Sequence, residues 1–133
     1  MINRSIKILL NEDKLNYSSK PVLLELYKTA RTNLFTVSIH TTKFVGRIFL
    51  EGTLSNNPES TDWFTIWLTE STPYIEFENN ELNENHNNSM NTGLSFKFNV
   101  NQIRAKIDRS YLPNNEEYDL NIHGKIDYIH LNW

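Results

Sequence analysis

Trp63, Trp67 and Tyr74 lie close together in the chain, with Glu76 and Glu78 just beyond them. Flat aromatic rings offer faces on which the apolar side of a sugar stacks, while nearby carboxylates and amides hold its hydroxyls. Glu76 and Glu78 stand at i and i+2, so on a strand both project from one face, and Tyr74 joins them there. Two carboxylates flanking a glycosidic bond are the machinery of a glycosidase. The same spacing also describes an ordinary solvated strand face, and the Trp pair equally describes a second buried face or a subunit interface. Downstream, residues 79–93 hold seven Asn between positions 79 and 91, around Asn85, His86 and Asn87. A polar loop of this length inside a compact domain points to contact with a partner or a glycan, or to a tolerated insertion.

Little else in the chain carries chemistry. There is no cysteine, which removes disulfides, thiol nucleophiles and sulfur-ligated metals. Four glycines do not build a phosphate-cradling loop, and no nucleotide, zinc-protease or calcium motif is present. His40, His86, His123 and His130 lack metal-ligand spacing, although a fold could unite His123 with His130. Asp108, Asp119 and Asp127 have no spacing suited to calcium. No cofactor or metal is expected, and no enzymatic activity.

The elements that must position these residues alternate with a period of two. Phe35, Val37 and Ile39 share a face in residues 34–40, and Phe44, Ile48 and Leu50 share one in 44–50 with Gly46 between them. In residues 63–69, Phe64, Ile66 and Leu68 lie opposite Trp63 and Trp67. Leu94, Phe96, Phe98 and Val100 lie opposite Ser95, Lys97 and Asn99, and Ile103, Ala105 and Ile107 lie opposite Gln102, Arg104, Lys106 and Asp108. Residues 125–133 stay strand-like to Trp133, which implies a docked C-terminus. Weaker strands are expected at 5–10, 21–27, 74–78 and 118–122. About eight to ten short strands punctuated by turns predict an all-β fold, an antiparallel β-sandwich or jelly roll.

A chain of 133 residues makes one domain, taken as 1–133, with 1–20 as an N-terminal arm and 79–93 as a long loop. No apolar run reaches membrane-spanning length, and the first residues lack the apolar stretch of a secretory signal. The net charge of −3 hides an asymmetry: residues 1–47 carry +5, residues 48–96 carry −8 without a single Lys or Arg, and residues 97–133 are neutral. The basic third has no nucleic-acid-binding motif, so no specific nucleic acid is expected. The segregation is either mixed away by folding or leaves a charge-polar molecule that stacks on copies of itself or a partner.

Three segments together carry a resemblance. Gly46-Arg47-Ile48-Phe49-Leu50-Glu51-Gly52-Thr53-Leu54 is followed by Asp62-Trp63-Phe64. Phe96-Lys97-Phe98-Asn99-Val100 leads into Ile103-Arg104-Ala105-Lys106-Ile107, and Gly124-Lys125-Ile126-Asp127-Tyr128-Ile129 comes near the end. This order, over about residues 44–130, resembles small virion structural proteins of tailed bacteriophages; the Asn-rich loop departs from it. The resemblance implies a β-sandwich made in the host cytoplasm and built into the virion, as a head decoration or cement protein or as a tail or baseplate component. Its partners would be capsid or tail subunits and copies of itself, with no membrane. Independently of the resemblance, the residues expected to contact a partner or a glycan are Trp63, Trp67, Tyr74, Glu76, Glu78, Asn85, His86 and Asn87, together with the arm as a partner contact. A carbohydrate-binding module using the aromatic platform is the alternative.

Overall fold

In the computed structural model, which describes residues 5–24, 34–77, 89–97, 99–113 and 116–133, the alternating stretches form two antiparallel sheets packed face to face. The strands are β1 (Ser5–Glu12), β2 (Tyr17–Ser18), β3 (Val22–Leu23), β4 (Leu34–Thr42), β5 (Gly46–Thr53), β6 (Phe64–Ile66), β7 (Ile75–Phe77), β8 (Ser89–Lys97), β9 (Gln102–Asp108) and β10 (Lys125–Asn132). One helical turn, α1 (Leu120–His123), precedes β10. The first sheet runs β1-β10-β4-β8. In the second, β5 pairs with β9 at the centre; β2 and β3 follow one another along the far edge of β9, and β6 and β7 along the far edge of β5. The protein is an all-β sandwich.

The core is the set of inward positions that alternation singled out. Phe35, Val37 and Ile39 on β4 meet Ile48 and Leu50 on β5 and Ile103, Ala105 and Ile107 on β9, all buried. Each buried Ile or Leu contributes about 1.5–3 kcal/mol of transfer free energy. Two bulges break the period. One lies between Lys7 and Leu9, and the other between Ile126 and Tyr128. They allow Ile8 and Leu9 both to be buried, and Ile126 and Ile129 to share the inner face three residues apart. Trp133 packs against this core.

Several expectations change. Residues 118–122 do not form a strand. Asp119 caps a helical turn by accepting from the Asn121 N–H at 2.8 Å, and its own N–H donates to His123 Nδ1 at 2.9 Å. Gly124, at φ 61°, then ends the turn against the Lys43 carbonyl, where a Cβ would overlap it. The strand expected from residue 94 begins at Ser89, so the last five residues of the expected 79–93 loop are strand; residues 79–88 lie outside the described residues, as do Glu78, Phe98 and residues 25–27 of the strand expected at 21–27. The expected N-terminal arm supplies β1, zipped to β10 with Ile8 and Leu9 buried, because an apolar pair gains more inside the chain's own sandwich than in water. Phe64 and Ile66 share one side of β6, as alternation expected, yet Ile66 is buried and Phe64 exposed, since β6 is only three residues long at the sheet margin.

One charge is enclosed. Arg109 is fully buried, with its guanidinium 4.4 Å over the Phe44 ring and Nη2 donating to the Gly124 carbonyl at 3.3 Å. Gly46 makes room for it, since a Cβ there would sit 2.8 Å from Arg109 Cγ. Nε and Nη1 find no acceptor among the described residues. Burial pulls this guanidinium down to about 10, so it stays charged at neutral pH.

Two outcomes are expected. Leu9→Ala should cost about 2–5 kcal/mol in urea denaturation; an unchanged midpoint would mean that β1 is detached in solution. Gly124→Ala should prevent folding as seen by near-ultraviolet circular dichroism, because both the left-handed backbone and the Lys43 carbonyl exclude a methyl group.

Candidate functional site

The outward residues of β5 are Arg47, Phe49 and Glu51, and pairing sets Asp108, Lys106 and Arg104 of β9 directly beside them in that order. On the other flank, Glu76 of β7 pairs with Arg47 and Thr65 of β6 pairs with Glu51. Alternation places all of these on the solvent face of the second sheet, because their neighbours Ile48, Leu50, Ala105 and Ile107 are committed to the core.

The face is organised by arginines stacked on aromatic rings. The Arg47 guanidinium lies 4.4 Å from the centre of Tyr74 and 4.0 Å from that of Tyr111, and its Nε donates to Glu76 Oε1 at 3.2 Å. Arg104 lies 4.1 Å over Trp63, and its Nε donates to Glu51 Oε1 at 2.8 Å. Between them, Phe49 contacts Tyr74 at 5.4 Å, with Lys106 Nζ 5.6 Å from the Phe49 ring centre. A Thr-based turn fixes Tyr74: Thr69 Oγ1 accepts the Thr72 N–H at 2.8 Å, and the Thr72 hydroxyl donates to the Tyr74 carbonyl at 2.8 Å. Each stacked cation contributes about 0.5–1 kcal/mol at such half-exposed positions. Charges from all three thirds of the chain meet here, so the segregation along the sequence is mixed away on this face.

The titrations follow from these contacts. Burial, then the charge and hydrogen bond of Glu76, push the Tyr111 phenol up to about 12. Burial acts the other way at Asp108, yet the Ser110 backbone N–H at 2.9 Å and hydroxyl at 2.6 Å, with Lys106 and Arg47 nearby, hold that carboxyl below its ordinary value.

Of the expected site residues, Trp63, Tyr74 and Glu76 come together on this face. Trp67 stands just past β6 and is 60% exposed. Glu78, Asn85, His86 and Asn87 lie outside the described residues. Trp63 and Tyr74 each already carry a guanidinium on one ring face, and Glu76 is engaged by Arg47. The residues that sequence reasoning left out are Arg47, Phe49, Glu51, Arg104 and Tyr111. The outward parity of Arg104 was visible in the alternation; its stacking on Trp63, across β5, was not.

The remaining candidates disperse. His123 is buried, whereas His130 stands on the outer face of the first sheet, hydrogen-bonded to Ser5 Oγ. There Tyr128 is stacked on His40 at 4.0 Å, with Lys7 Nζ 4.5 Å from its ring centre. Asp108 binds Ser110, Asp119 caps α1, and Asp127 accepts from the Thr42 hydroxyl at 2.7 Å. Among the described residues no three His, Asp or Glu side chains converge as a metal ion would require, and no helix is long and apolar enough to cross a membrane.

The folded chain holds the Tyr111 proton more tightly than the unfolded chain does. That contribution to stability is therefore complete below about pH 10 and lost as pH rises towards 12. In Tyr111→Phe the fall of the thermal midpoint across this window should be shallower; an identical fall would place the phenol free in water. Comparison with known proteins finds no matching family model, no matching curated protein and no matching solved structure.

Proposed function

We propose that this chain is a non-enzymatic assembly protein that binds protein neighbours through the outer face of the β5–β9 sheet. The observation that carries this is the Trp63–Arg104 and Tyr74–Arg47–Tyr111 stacking around Phe49. Tryptophan, tyrosine and arginine are the residues that dominate protein–protein contacts when desolvated, and here they are already held in place, which lowers the ordering cost of binding. Trp67, just past β6, adds an exposed apolar ring at this margin of the sheet. Placement in the virion of a tailed bacteriophage, as a head decoration or tail component, rests on the motif resemblance described above.

A carbohydrate platform is the second reading, favoured by the exposed Trp67 ring. Against it, the guanidiniums on Trp63 and Tyr74 compete with a sugar for those rings.

Quantitative peptide mass spectrometry on purified particles from the source lysate tests the first reading. The expected result is stoichiometric presence, with Trp67→Ala folded but depleted from particles. Absence from clean particles would remove the virion placement. A tryptophan fluorescence response to one member of a glycan set, abolished in Trp67→Ala, would favour the sugar reading instead.

A further inference from the structure

We infer that the partner of the β5–β9 face is a second copy of the same face, related by a two-fold axis passing beside Phe49 and Lys106. The inference rests on the proposed role of that face and names its occupant. The support is the order of the charges. Along β5 the outward residues run Arg47, Phe49, Glu51; beside them on β9 run Asp108, Lys106, Arg104. A two-fold axis lying in the face, perpendicular to the strands, turns each row end for end against its own copy. Arg47 then faces the second copy's Glu51, and Asp108 faces its Arg104, each contact occurring twice. Phe49 meets Phe49 at the axis. On the flank, the Tyr74 side of one copy meets the Trp63 side of the other, because β7 and β6 pair with opposite ends of the same edge of β5.

Each of the two rows carries opposite charges at its two ends, so the face is self-complementary under this rotation, as an isologous dimer requires. The cations are also fixed in advance. Arg47 lies between two tyrosine rings and Arg104 lies on Trp63, so little side-chain freedom remains to be lost on association. Along these two rows, the like-charge encounter is Lys106 with its own copy. Lys106 leans over Phe49, and its long stem lets the ammonium turn outward to water.

The chain has no cysteine, which makes the test direct. Packed sheets lie about 10 Å apart, so Phe49→Cys and, separately, Lys106→Cys should be joined into covalent dimers by a short bismaleimide. Ser38→Cys, on the outer face of the other sheet, should not. Charge reversal adds a stricter check. Arg47→Glu alone and Glu51→Arg alone should each weaken association by about a hundredfold in sedimentation equilibrium, with folding verified by circular dichroism. Mixing the two variants should restore a heterodimer, because Glu at 47 then faces Arg at 51 while the native pair at the other end is kept. Three results would overturn the inference: a wild-type chain that stays monomeric, cross-linking as efficient from Ser38→Cys as from Phe49→Cys, or single reversals without effect. A monomeric wild type whose Trp67→Ala variant is still depleted from particles would discard the self-pairing and leave the assembly role standing.

Discussion

Everything in this molecule hangs on the pairing of β5 with β9. The two strands are hydrogen-bonded over seven residue pairs, from Arg47–Asp108 to Thr53–Gln102, without a bulge. Their inner sides, Ile48, Leu50, Ile103, Ala105 and Ile107, form the centre of the core. Their outer sides, Arg47, Phe49, Glu51, Arg104, Lys106 and Asp108, form the candidate site. A slip of one residue would send every apolar side chain to water and every charge to the core, so burial of one face imposes the register of the other. The site thereby inherits the rigidity of the core without containing any of it.

The end of the sandwich near Arg109 shows a different balance. A guanidinium there is enclosed by Phe44, by Gly46 and by the backbone of Gly124, with one hydrogen bond to that carbonyl. Enclosing a cation opposes folding, and the π face of Phe44 offsets part of that cost. The arrangement depends on the two glycines, one leaving room for the side chain and the other letting α1 turn into β10. Gly124 is thus a hinge point for the first sheet, because β10 is the strand that joins β1 to β4.

On the β5–β9 face the aromatic rings have two suitors, guanidinium groups and external ligands. The arginines arrive from neighbouring strands, are held by Glu51 and Glu76, and sit within stacking distance. What remains presented outward is a mosaic of half-buried rings and paired charges. Such a surface suits a broad, flat partner better than a small molecule that needs a concave site.

The alternation of Phe35-Val37-Ile39 and of Ile103-Ala105-Ile107 was enough to determine an all-β chain and the identity of most of its core, because side-chain direction in a strand depends only on parity. It also determined that Arg104, Lys106 and Asp108 point away from that core. It did not determine the bulges in β1 and β10, where two residues take the place of one, nor the helical turn at Leu120–His123, where a cap and a glycine override β-favouring neighbours. Trp63 and Tyr74 were legible as candidates from residue type. That each is stacked on an arginine was decided by tertiary structure alone, since Arg104 and Arg47 reach them from other strands across a register that local sequence does not encode. The face exists because three distant segments were brought side by side, and only strand pairing could select which charges would meet.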